Sequence, residues 1–218
     1  MEILIVGGNR NLEEARQKFG EAHTYALTEG KLGHKILVRS CDVIFDFRMG
    51  HDASTIKQYE EHASSIVFLD VSTTSLKQLN YGNPRTCLFG FCGLPGFLIG
   101  EILEVSLRSE GDQEKLKVVC HELKTDFRAV ADCVGLVTPR VICMIINEAY
   151  CTVEEGTATR EDIDLAMKLG TNYPFGPFEW GKRIGLSNIC ALLEAVRRDS
   201  GDDRYKICPL LINEAQLS

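Results

Sequence analysis

The chain has 218 residues, 44% of them hydrophobic and 25% charged, an ordinary globular composition with room for one large or two small domains. A net charge of −7 speaks against a nucleic-acid partner, which wants a basic face. No apolar run reaches the roughly eighteen residues of a membrane span, and the opening Met1-Glu2-Ile3-Leu4-Ile5-Val6-Gly7-Gly8 lacks the basic region of a signal peptide.

In chain order, residues 3–6 read as a buried strand ending at Gly7-Gly8. A short helix is expected at 11–19 with Asn11 as its N-cap. Strands follow at 23–28 and 43–47, a helix at 52–63, and a strand at 66–71 that runs into Ser72-Thr73-Thr74-Ser75. Two more strands fall at 86–91 and 102–107, then a helix at 113–123 and the stub of a last strand at 129–130. Such alternation implies a parallel sheet with right-handed crossovers.

From Gly135 onward the pattern turns helical. Thr138 is the candidate N-cap of a long helix, with Pro139 at its first position, where a missing N–H is harmless. That helix runs from Arg140 to about Glu155, stops at Gly156, and is apolar almost all round, which makes it a core or interface helix. Thr159 caps the next helix, and a further one spans 188–198. Between them lies Gly170-Thr171-Asn172-Tyr173-Pro174-Phe175-Gly176-Pro177-Phe178-Glu179-Trp180, a rigid corner rich in proline, glycine and aromatics. The expected architecture is α/β plus all-α, with an α/β domain at 1–131 and a helical domain at 132–218.

Nine cysteines are scattered along the chain with no Cys-x-x-Cys pair and no zinc spacing, so no metal site is expected. Several, such as Cys143 and Cys190, sit in apolar runs as small hydrophobes, and the cytoplasm is the expected compartment.

A first strand ending in glycines before a helix is where a dinucleotide-binding turn belongs. Counting from Gly7, the second and third glycines of Gly-x-Gly-x-x-Gly are replaced by Asn9 and Leu12. Gly7 and Gly8 remain as candidate cofactor contacts. Glu29, after the second strand, is the candidate for a ribose hydroxyl.

The segments Gly135–Arg140, Ile146–Ala149, Glu154–Thr159 and Asp162–Gly170, with the corner from Tyr173 to Glu179, resemble the C-terminal domain of the 3-hydroxyacyl-CoA dehydrogenases. The resemblance covers roughly residues 132–210. It implies a homodimer formed through these helices. The α/β part then resembles a shortened Rossmann-like domain for NAD, and the reaction implied is oxidation of 3-hydroxyacyl-CoA in fatty-acid metabolism. Thr74 is the counterpart of a substrate-contacting Ser, and Glu104 of the carboxylate that orients a catalytic His. Spacing from Glu104 puts Cys92 where that His belongs, whereas alignment on Pro95 puts Phe91 there. An Asn that the family carries at the start of its long helix is replaced here by Pro139 or Thr138. Hydroxyl oxidation needs a base with a pKa near neutrality, and a thiol beside a carboxylate is a poor one because its pKa rises. Two readings follow: an NAD-dependent dehydrogenase with a divergent site, or a non-catalytic dimeric homologue that acts as an acyl-CoA-binding or assembly subunit. A full-length dehydrogenase chain is a candidate partner that completes the site.

Overall fold

The computed structural model describes residues 1–29, 41–50, 59, 66–79 and 87–217. The helix expected at 52–63, Tyr59 apart, and nearly all of the 30–42 connection lie outside the described residues. The chain divides into two compact units, Met1–Leu136 and Val137–Ser218.

Among the described residues the first unit is built on seven strands: β1 (Glu2–Val6), β2 (Thr24–Thr28), β3 (Val43–Asp46), β4 (Ile66–Asp70), β5 (Cys87–Phe91), β6 (Ile102–Leu107) and β7 (Asp126–Val130). They form one sheet in the order β2-β1-β3-β4-β5-β6-β7. Helix α1 (Asn9–Phe19) joins β1 to β2, and α2 (Gln113–Glu122) precedes β7. The central strands are continuous apolar runs because both faces of the sheet are covered. Phe45 stacks on Phe68 with ring centres 4.5 Å apart and meets Phe91 edge-on at 5.5 Å.

β1 to β5 are parallel through the sheet, as the alternation implies, but β6 runs antiparallel to β5, with Phe89 opposite Leu107 and Gly90 opposite Ser106. The reason is connection length: only residues 92–101, without a helix, separate these strands, and a parallel return needs a crossover of a dozen or more residues. Gly90 allows the approach, since a Cβ there would lie 2.3 Å from Ser106 Oγ and 2.7 Å from Val71 Cγ2. The expected stub at 129–130 is a full edge strand, β7, paired parallel to β6. Its exposed Asp126, Arg128 and Ala129 hid it from an apolar-run reading.

The second unit contains α3 (Thr138–Glu154), α4 (Arg160–Thr171), α5 (Pro177–Ile184), α6 (Leu186–Ser200) and α7 (Pro209–Leu217). Thr138 is not the cap of α3. Val137 holds that position, which makes Thr138 the first helical residue and Pro139 the second, still within the turn whose N–H groups have no intrahelical partner. Thr159 does cap α4, its Oγ1 accepting the Asp162 N–H at 3.2 Å. Asn172, in the left-handed region at φ 55°, ends α4. Trp180 then packs on Tyr173 and Phe175, and the Arg183 guanidinium lies 3.8 Å from the centre of the Phe175 ring. Among the described residues, no helix is long and apolar enough to cross a membrane.

Candidate functional site

Ligands of open α/β sheets bind at the carboxyl ends of the strands, and two features of the first unit lie there: the turn from β1 into α1, and the ends of β4 and β5.

The β1–α1 turn is closed by its own side chain. Asn11, expected as the N-cap, is instead the third residue of a helix that starts two residues earlier, with Gly8 at the cap. From there its Oδ1 reaches back and accepts the Gly8 N–H at 2.9 Å. The same atom fills the space in front of Gly7, where a Cβ would stand 2.6 Å from it and 3.3 Å from Phe47 Cβ. The Gly7 N–H is also used, donating to Thr28 O at 2.9 Å. Leu12, at the place of the third glycine, is half-buried and packs on the hydrophobic core of the sheet. Glu29 lies exposed just after β2. A dinucleotide needs open space and free amides at such a turn. Asn11 fills the space in front of Gly7 and takes the Gly8 amide, so the turn offers a pyrophosphate neither of these.

The second feature surrounds β4 and β5. Continuing the β5–β6 register by two residues sets Cys92 level with Glu104. Cys92 is buried, while Glu104 is half-buried and directly across from Arg128 of β7. Thr74 is half-buried and its hydroxyl donates to Gln78 Oε1 at 3.1 Å. The turn that carries Thr74 is pinned by Asp132, whose two carboxylate oxygens accept the N–H groups of Leu76 and Lys77 at 2.9 and 2.8 Å. Ser106 Oγ donates to the same carboxylate at 3.3 Å.

Two further carboxylates went unnoticed in the sequence. Asp70, at the end of β4, is fully buried; its Oδ1 accepts the N–H groups of Ser72 and Gly93, and its Oδ2 the Ser72 hydroxyl. Burial raises its pKa to about 6 against the lowering effect of those bonds, and Asp46 adds to the rise. Asp46, at the end of β3, accepts a two-pronged bond from Arg48 at 2.9 and 2.6 Å and the Tyr59 hydroxyl at 2.7 Å. An acidic residue closing an apolar strand is the signal that marks both. Asp132 has no such signal, because its contact to Leu76 spans 56 residues of chain.

A mostly parallel sheet with its site at the strand ends, followed by a separate helical unit, defines a two-domain Rossmann-type protein. Residues 135–216 match the family of 3-hydroxyacyl-CoA dehydrogenase C-terminal domains. A 3-hydroxyadipyl-CoA dehydrogenase of Escherichia coli is 44% identical over 88 residues, 40% of this chain and 18% of that protein. A 3-hydroxybutyryl-CoA dehydrogenase of Bradyrhizobium diazoefficiens is 26% identical over 88% of this chain and 69% of its own length. The crystal structure of (S)-3-hydroxybutyryl-CoA dehydrogenase from Ralstonia eutropha shares the fold across 99% of this chain and 93% of that one, with a TM-score of 0.75 at 20% identity. The E. coli relative and a probable 3-hydroxybutyryl-CoA dehydrogenase of Bacillus subtilis are thus matched over only 18% and 29% of their lengths. The resemblance to the 3-hydroxyacyl-CoA dehydrogenases is carried at highest identity by the helical unit.

Proposed function

We propose that this chain is a family member that does not use NAD, kept as a dimeric subunit for binding acyl-CoA or for assembly. The observation that carries this is Asn11, whose side chain fills the β1–α1 turn and takes the Gly8 N–H. Cys92 at the place of the catalytic His supports it, because loss of a general base costs about 10²–10⁴-fold in rate. The dimer forms through the helical unit, where Val141 of α3 and Leu165 and Leu169 of α4 are 52%, 54% and 79% exposed. Large exposed apolar side chains on both helices are what an interface would cover.

The test is NADH fluorescence on titration of the purified chain, followed by NADH consumption with acetoacetyl-CoA. Flat titrations with NADH support the proposal, and saturable binding with turnover overturns it. A second reading keeps the dehydrogenase, and the hydroxyl of Thr74 with the carboxylate of Glu104 level with Cys92 favours it. In that reading NADH binds and turnover appears, either with the chain alone or only once a full-length dehydrogenase is added.

A further inference from the structure

On α3, Asn147, Cys151 and Glu154 follow at i, i+4 and i+7 and so share one face. The strand-like lead into α7 is laid along that face. Asn147 holds it twice: its Nδ2 donates to Lys206 O at 3.0 Å, and its Oδ1 accepts the Cys208 N–H at 2.9 Å. Two turns further along α3, Glu154 Oε1 accepts the Leu210 N–H at 3.0 Å, and its Oε2 accepts the Cys208 thiol at 3.5 Å. Cys151 lies between these two anchors, on the face of α3 along which Cys208 is held. Three side-chain-to-backbone bonds thus hold Cys208 against the stretch of α3 that carries Cys151. Cys208 is buried, and Cys151 is half-buried and so open to a small reagent.

We propose that Cys151 and Cys208 form a reversible disulfide, closed by a low-molecular-weight disulfide of the glutathione type and tying the lead into α7 to the middle of α3. The exchange runs in two steps. The Cys151 thiolate attacks one sulfur of the reagent, making a mixed disulfide and expelling one thiolate, which takes up the proton Cys151 lost. The Cys208 thiolate then attacks the Cys151 sulfur and expels the second reagent thiolate, which takes up the Cys208 proton. Two protein thiols are oxidised and one reagent disulfide is reduced to two thiols. Burial, then the neighbouring Cys208 and the carboxylates of Glu148 and Glu154, push the Cys151 thiol up to about 11. The thiolate is thus scarce at neutral pH and the exchange is slow there. Cys143, its thiol pushed up to about 12 inside the unit, has no such access.

The full chain, reduced and then freed of reductant, is incubated to equilibrium with oxidised glutathione under mildly alkaline conditions and read by intact mass and peptide mapping. The expected product has lost two hydrogens, carries a single Cys151–Cys208 link, and is restored by dithiothreitol. Cys208→Ser traps one glutathione on Cys151, and Cys151→Ser forms no link; circular dichroism checks that both variants are folded. Two free thiols at equilibrium, a lasting glutathione adduct on Cys151 of the unsubstituted chain, or a link at another pair in its place overturns the proposal.

Discussion

Gly176→Ala tests the corner that leads into α5. The backbone there, at φ −73° and ψ 164°, suits any residue, so conformational freedom is not why glycine is needed. Space is the reason. A Cβ on residue 176 would stand 2.2 Å from Asp164 Oδ1, 2.3 Å from its Cγ and 2.5 Å from its Cβ. Rotating the Asp164 side chain clears the first two atoms but not the third, which is fixed to the backbone of α4, so a helix must shift. Rotation would also break the bond from the Phe178 N–H to Asp164 Oδ1 at 2.8 Å, which satisfies one of the open donors at the start of α5. Losing that charge-assisted bond costs ~1.5–3 kcal/mol, and overpacking adds ~1–3 kcal/mol. The expected destabilisation is about 3–5 kcal/mol. Urea unfolding followed by fluorescence reads this unit alone, because the single tryptophan, Trp180, sits in the corner. Asp164→Gly removes the obstructing atoms, so in the double variant the two costs should fall short of their sum by at least ~1 kcal/mol. Additive costs, or a Gly176→Ala variant within ~0.5 kcal/mol of the natural chain, would refute the packing argument.

Asn11→Ala should weaken the start of α1 by ~0.5–2 kcal/mol, with the Gly8 amide exchanging its hydrogen faster by NMR; an unchanged rate would mean that Asn11 does not hold that amide. Asp70→Asn should remove a pH dependence. With its folded pKa raised to about 6, Asp70 contributes stability that is fully present below the unfolded value near 4 and lost as pH rises through 6, on the order of 3 kcal/mol. The melting temperature of the natural chain should therefore fall relative to Asp70→Asn between about pH 4 and 6.5, and parallel profiles across that range would contradict the buried-acid reading. Leu169→Glu should turn the proposed dimer into a monomer by light scattering without lowering helix content, and an unchanged mass would place the interface elsewhere.

Strands β1, β3, β4 and β5 were legible because parallel strands covered on both faces leave unbroken apolar runs. Direction was not legible. The run at Ile102–Leu107 would look the same either way, and what reverses it is the short connection after Phe91. The site was less legible than the fold for a related reason. Glu104, Thr74 and Cys92 could be placed by likeness to a family, but Asp132, which fixes the turn under Thr74, acts across 56 residues and leaves no local pattern. Asn11 looked like an N-cap because Asn favours that position. Starting the helix at Asn9 kept the same residue at the helix end and reversed the direction in which its side chain bonds.

That reversal has a twin in the other unit. At α5, Glu179 is also the third helical residue, and its Oε2 reaches back to the N–H of a capping glycine, Gly176, at 3.1 Å. The two helix starts thus use one local solution: glycine at the cap, and an acceptor three residues on that satisfies the cap amide. At α5 the consequence is architectural, since Glu179 also binds Lys168 of α4 at 2.6 Å and so joins two helices. At α1 the satisfied amide belongs to the turn where a dinucleotide phosphate would bind, and among the described residues Asn11 brings no second partner from another element. The same bond that is neutral for function in the helical unit removes a donor from the site of the sheet unit. A helix start whose cap amide is satisfied from within has one donor fewer to offer an anion, and this is the physical reason to separate the kinship carried by the helices from the activity expected of the sheet.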